Sequence, residues 1–223
     1  TESLTSLIVK TKNVTMTPCP KLQELKWRGE TLSEKIFPCP IGDMPALSRL
    51  IVRVDAIKSG FLFPTQLTSL KLMVHYGSVD VARLMPLTRL QSLDIDVDKN
   101  PLDLSGLTTL TSLDANSTPV LKLPTSLVEC TVKLRCNFDF SSLSKLTLLR
   151  CSLELGFKVT FPTGLKKLCL TKGELHDTNV GEIALEEFET LGFRPITRDD
   201  LERLPKTIKS VYGDFWPASL GKR

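Results

Sequence analysis

The octapeptide LQSLDIDV, residues 90–97, alternates apolar and polar side chains from Leu93 onward, with a further leucine three residues earlier. Two readings compete for the longer stretch LDIDVDKNPLD, residues 93–103, which sets Asp94, Asp96 and Asp98 two residues apart. An EF-hand calcium loop takes oxygen ligands at positions 1, 3 and 5, glycine at 6 and a bidentate glutamate at 12. Counted from Asp94, position 6 is Lys99 and position 12 is Ser105, so both diagnostic residues are missing. A half-buried β-strand instead sends every second side chain inward. Leu93, Ile95 and Val97 then enter a core, and the aspartates line the other face.

The same pattern recurs along the chain. Triplets of the form L-x-x-L-x-[LIV] align as Leu4-Leu7-Val9, Leu22-Leu25-Trp27, Leu47-Leu50-Val52, Leu67-Leu70-Leu72 and Leu90-Leu93-Ile95. They continue as Leu110-Leu113-Ala115, Leu127-Cys130-Val132, Leu146-Leu149-Cys151, Leu165-Leu168-Leu170, Phe188-Leu191-Phe193 and Ile208-Val211-Gly213. Of these 33 positions 32 are apolar, Gly213 being the exception, and successive triplets stand about 20 residues apart. Alternation runs one step further at Val54, Val74, Val97, Leu134 and Leu153.

A unit of this size cannot bury its apolar edge alone, but stacked units bury it against each other. The expected architecture is an α/β solenoid of about eleven repeats. Parallel strands line its concave side and irregular or short helical returns its convex side. Proline precedes several strands, in FPTQL at 63–67, LPTSL at 123–127, FPTGL at 161–165 and LPKTI at 204–208. Lacking an N–H for a β-ladder, it marks the approach to a strand and not its middle. Helical spacing appears in SVDVARL (78–84), VGEIALEEF (180–188) and TRDDLERL (197–204), the last with Thr197 and Asp200 as a capping pair. No linker interrupts the pattern, so residues 1–223 are expected to form one domain, with 197–223 as its C-terminal capping unit.

Composition agrees with a folded, aliphatic core: 41% of residues are hydrophobic but only 6% aromatic. The net charge of +4 gives no reason to expect a nucleic-acid partner. No apolar run reaches the roughly 18 residues that span a bilayer, and TESLTSLIVK at the start lacks the pattern of a leader. Six cysteines without a CxxC pair are too few for a disulfide scaffold. Cys130 and Cys151 occupy leucine positions and are expected to be buried thiols, which favours the cytoplasm over a secreted location.

Over essentially its full length the chain resembles the leucine-rich repeat proteins. The [LF]-P-T-x-L segments are similar to the short proline-containing repeats of the protist FNIP and BspA-like groups and of LPX-type bacterial effectors. The family's stacked asparagine, L-x-x-L-x-L-x-x-N, is absent. Its place is taken by Lys12, Glu30, Asp55, His75, Asp98, Thr118, Arg135, Glu154, Gly173, Ile196 and Trp216. The resemblance implies a module that binds a protein partner across its concave sheet.

Strand parity places Asp94, Asp96, Asp98 and, beside Asp94, Asp114 on that face. Earlier units add Lys26, Arg28, Arg49, Arg53 and Lys71, and later ones Lys133, Arg135, Arg150 and Lys167. A basic–acidic–basic face steers a charged partner and fixes its register; outward charge for solubility alone is the competing explanation. Tyr212 and Trp216 are a second candidate contact, since aromatics dominate binding hot spots; capping of the open core is the alternative use of Phe215 and Trp216. Trp27 is expected in the core. Catalysis would need a base, and only His75 and His176, the latter beside Asp177, are available. No nucleotide-binding or metalloprotease motif occurs, so neither cofactor nor metal is expected. Two further readings remain distinct: the substrate-recognition repeats of a larger effector or enzyme, and a surface adhesion protein glycosylated at Asn13 or Asn116. Oligomeric expectation is a monomer or weak oligomer.

Overall fold

The structure, a computed structural model, describes residues 3–10, 19–33, 44–58, 61–77, 79–97, 102–115, 120–134, 136–153, 157–172, 175, 178–191 and 196–213. Two compact units divide the chain at Leu127 and Val128. In chain order the first carries β1 (Ser6–Val9), β2 (Glu24–Arg28), β3 (Thr31–Leu32), β4 (Arg49–Val54) and β5 (Ala56–Ile57). It continues with β6 (Ser69–Val74), β7 (Ser92–Val97), β8 (Leu102–Asp103), β9 (Ser112–Ala115) and β10 (Val120–Lys122). The second unit has β11 (Glu129–Leu134), β12 (Phe138–Asp139), β13 (Leu148–Leu153), β14 (Val159–Thr160), β15 (Lys167–Lys172), β16 (Glu187–Thr190), α1 (Arg198–Arg203) and β17 (Ser210–Tyr212).

Each unit is a parallel solenoid, as the triplets predict. In the first, β1-β2-β4-β6-β7-β9 pair in that order, all parallel. Leu7, Leu25, Leu50, Leu70, Leu93 and Leu113 form one in-register column. In the second, β11-β13-β15-β16-β17 align Cys130, Leu149, Leu168, Phe188 and Val211. The inward residues of β6 and β7 are almost wholly buried, and the outward ones between them are half-exposed. Burying one leucine fully contributes about 1.5–3 kcal/mol, so a repeated column is the main stabilising element. Trp27 lies in the core, with Phe61, Phe140, Phe161 and Phe188 as the other large buried side chains.

The turn before each strand explains the irregular prolines. The amide of the first leucine donates to the carbonyl three residues back: Leu67 to Pro64, Leu127 to Pro124, Leu165 to Pro162 and Ile208 to Pro205. Leu22 to Cys19, Leu47 to Met44, Leu90 to Leu87 and Leu110 to Leu107 repeat the same bond. All these acceptor residues are buried. The position asks for an apolar side chain and a carbonyl, and proline offers both; the N–H it lacks is not what closes the turn.

Backbone takes over the work of the missing asparagines. Asp55 N–H and Ala56 N–H donate to Glu30 O at 2.8 and 3.1 Å, and Tyr76 N–H donates to Asp55 O at 2.9 Å. Short second ladders, β3 with β5, β8 with β10 and β12 with β14, continue these bonds on the return side. Two asparagines outside the usual position do stitch coils: Asn137 accepts from Lys158 N–H at 2.8 Å, and Asn179 accepts from Phe161 N–H at 2.7 Å and donates to its carbonyl at 3.1 Å.

Three expectations need correction. The returns at 78–84 and 180–188 are not α-helical; each holds one 3-10 turn, Val81–Arg83 and Val180–Glu182. The second segment runs on into β16, because Leu185 and Phe188 are the inward residues of the next coil. Only 198–203 forms the expected α-helix, with Thr197 and Asp200 making a reciprocal capping box. Finally, the tenth triplet is Leu185-Phe188-Thr190 and not Phe188-Leu191-Phe193: Phe188 pairs with Leu168, and Thr190 with Leu170. A polar residue in the third inward place hides the true register.

Thr190 also leaves a mark on stability. Its Oγ1 is buried without a hydrogen-bond partner among the described residues. A Cβ on Gly213, where φ is +139°, would lie 2.1 Å from that oxygen, so glycine is required there. An unpaired buried hydroxyl costs about 1–3 kcal/mol. Thr190→Val removes it at constant shape and is expected to raise stability by about 1 kcal/mol, read as a higher urea midpoint.

Candidate functional site

Because β-strand side chains alternate, the face away from the core displays three outward rows. On the first unit one row reads Glu24, Arg49, Ser69, Ser92 and Ser112. The next reads Lys26, Ile51, Lys71, Asp94 and Asp114, and the third Arg28, Arg53, Met73 and Asp96. These rows gather eight of the sequence-predicted residues on one sheet. Asp98, Arg135 and Trp216, together with Asp177, His176 and both glycosylation triplets, lie outside the described residues.

The charges on this face are partly compensated across strands. Lys71 forms an ion pair with Asp94 on the neighbouring strand. Glu24 takes Lys26 at 3.3 Å and Arg49 at 3.5 Å, and Ser6 Oγ donates to it at 3.0 Å. The Ser6 hydroxyl is the main reason its carboxyl is held below the usual range, with the two cations adding to it. Two in-register neighbours remain like-charged: Arg28 beside Arg53, and Asp94 beside Asp114. Arg53 Nη2 contacts Met73 Sδ at 3.3 Å. Among the described residues no carboxylate lies within ion-pair distance of Arg28 or Arg53. His75 and Tyr76 project from the turn after β6, both exposed.

On the second unit the outward face is mixed where a basic one was expected. Lys133 and Arg150 stand on β11 and β13 and Tyr212 on β17. Yet Lys167 binds Glu187 and Glu189, each at 3.2 Å, and its Nζ lies 5.9 Å from the Tyr212 ring centre. Both glutamates are invisible as outward residues until the tenth triplet is read as Leu185-Phe188-Thr190. Cys169 belongs to the same outward row but is buried, donating its thiol to Glu189 at 3.2 Å. Burial foremost, then the neighbouring carboxylate, pushes that thiol up to about 11. Such a thiol stays protonated and unreactive at neutral pH.

Glu189 shifts the other way. The bond from Cys169 is the leading cause that lowers its pKa, with Lys167 assisting and burial opposing. A carboxylate depressed on folding contributes stability above its unfolded pKa, about 4.3, and loses it as pH falls through the lower folded value. Glu189→Gln is therefore expected to flatten the loss of stability below about pH 4.3, measured as the urea midpoint against pH.

Among the described residues no three His, Cys, Asp or Glu side chains group closely enough to hold a metal ion. Asp94 and Asp96 stand on a strand and not in a loop. No helix among the described residues is long and apolar enough to cross a membrane.

No protein-family model matches the chain, and no curated protein matches it in sequence. Solved structures do match. CroV588, described as a novel circular LRR protein, aligns with a TM-score of 0.54 at 15% identity over 91% of this chain and 35% of its own. An internalin (inlF) from Listeria monocytogenes str. 4b F2365 covers 90% of this chain and 85% of its own, at 17% identity and a TM-score of 0.39. The present chain thus spans about a third of the length of CroV588. The likeness is one of fold.

Proposed function

We propose that this chain, whose fold is that of a leucine-rich repeat solenoid, is a non-catalytic module that binds a protein partner through the open face of its parallel sheet. The fold is a common scaffold for protein interaction, and the first unit's outward rows supply the specific support. Like charges set directly opposite each other on neighbouring strands are destabilising, by some tenths of a kcal/mol per pair. Arg28–Arg53 carries that cost on a solvent-facing surface. A partner of complementary charge relieves it, and strands hold the side chains in a fixed pattern that sets orientation.

A pull-down from the native cell with mass spectrometry, run beside Asp94→Lys/Asp96→Lys, tests this reading. The double variant is expected to fold as the parent does by circular dichroism and to lose the partner that the parent captures. Unaltered capture would remove the acidic rows from the binding surface. The buried thiols Cys151 and Cys169 support a reducing, cytoplasmic setting; quantifying six free thiols in native material checks that.

A further inference from the structure

The rows of the first unit have a symmetry that narrows the partner. Apart from Glu24, which pairs with Lys26 and Arg49, the charged outward residues of β2 and β4 are cationic and those of β7 and β9 anionic, and β6 lies between them. Consider a twofold axis running along β6, in the plane between two facing copies. It places β4 of one copy over β7 of the other and β2 over β9, and it keeps every outward row in its own row. Arg53 then faces Asp96 of the second copy, and Lys26 faces its Asp114. Ile51 lies over the Lys71–Asp94 pair, whose charges offset one another. At the axis itself Met73 meets its own counterpart, and so does Lys71, whose charge Asp94 offsets.

From this self-complementarity we infer that the open face of the first unit binds a second copy of the same chain, in parallel, face to face. The inference rests on reading that face as a protein-binding surface and names its occupant. Arg53 and Asp96 have no ion-pair partner among the described residues within their own chain, so each gains one across the axis. Such an arrangement is isologous: each residue i meets j while j meets i. A uniformly acidic or uniformly basic partner would meet repulsion from one half of the face, whereas a second copy meets like charge only at the axis, where Lys71 faces Lys71 and each is held by its own Asp94.

Size sets the strength. Five strands about 4.8 Å apart and three rows about 7 Å apart give a patch of roughly 400 Å² per copy. That is about half of the ~800 Å² per partner in a standard interface. The dimer is therefore weak, concentration-dependent and salt-sensitive.

Sedimentation equilibrium of the whole chain tests it, at 0.1 M and 1 M salt. The screening length falls between them from roughly 10 Å to roughly 3 Å. The parent is expected to dimerise at low salt and to weaken at least about tenfold at high salt. Arg53→Asp alone and Asp96→Arg alone are each expected to be monomers with unchanged circular dichroism. Their equimolar mixture is expected to dimerise again, because the mixed pair restores both Arg–Asp contacts across the axis. A parent that stays monomeric at low salt, or single variants that dimerise as the parent does, or a mixture that stays monomeric, would each overturn the inference. The pull-down with the Asp94/Asp96 reversal still reads the broader proposal separately, since a different protein can occupy the same face.

Discussion

Phe188→Ala is expected to destabilise the second unit by about 3–5 kcal/mol, the usual cost of truncating a buried phenylalanine, while Leu191→Ala, at a half-buried site, costs under about 1.5 kcal/mol. The two residues lie three apart and both fit an apolar repeat, yet they differ in position. Phe188 is fully buried and pairs in register with Leu168 and Val211. Leu191 sits past the end of β16, half-buried, with its N–H on Leu170 O at 2.8 Å. Urea unfolding of both variants, followed by circular dichroism, compares them directly. Equal costs, or the larger one at Leu191, would restore the register that the apolar pattern alone favours.

Leu93→Asp is the second large effect. Leu93 is 1% exposed in the middle of the first unit's leucine column. A carboxylate there has no cation to meet, and burying an unpaired charge belongs to the few mechanisms that exceed about 4–5 kcal/mol. The first unit is expected to lose its native circular dichroism and its resistance to proteolysis. The neighbouring Asp94→Asn gives up only the half-exposed pair with Lys71, worth about 1 kcal/mol or less. One step along the chain separates the two outcomes, because one step along a strand changes the face.

The repeat architecture was legible wherever inward positions were apolar. Leu4 to Ile95 read correctly because every second and third place carries an aliphatic or aromatic side chain. Cys130 and Cys151 read correctly too, since a thiol is small and apolar enough for a leucine site and both are buried. The reading slipped at Thr190, where a hydroxyl stands in the core column and apolar neighbours outside it imitate the triplet. That single slip concealed Glu187 and Glu189, and with them the mixed character of the second unit's open face. The returns were less legible for a different reason. Val180 and Ile183 stand at helical spacing, yet Val180 is buried in a 3-10 turn, and Ile183 and Leu185 are buried in the stretch that leads into β16, so burial and not propensity dictates their conformation. The cross-strand pairs were hidden as well: Lys71 and Asp94 are 23 residues apart, and only the coil length brings them together.

The central claim is that coils of about 20 residues stack in parallel with fixed register. Nuclear Overhauser contacts between backbone protons on neighbouring strands measure it most directly. The account predicts contacts linking Leu70 with Leu93 and Leu93 with Leu113 in the first unit, and Leu168 with Phe188 and Phe188 with Val211 in the second. Contacts joining Leu168 to Leu191, antiparallel cross-strand patterns, or i to i+3 contacts through 92–97 would contradict it.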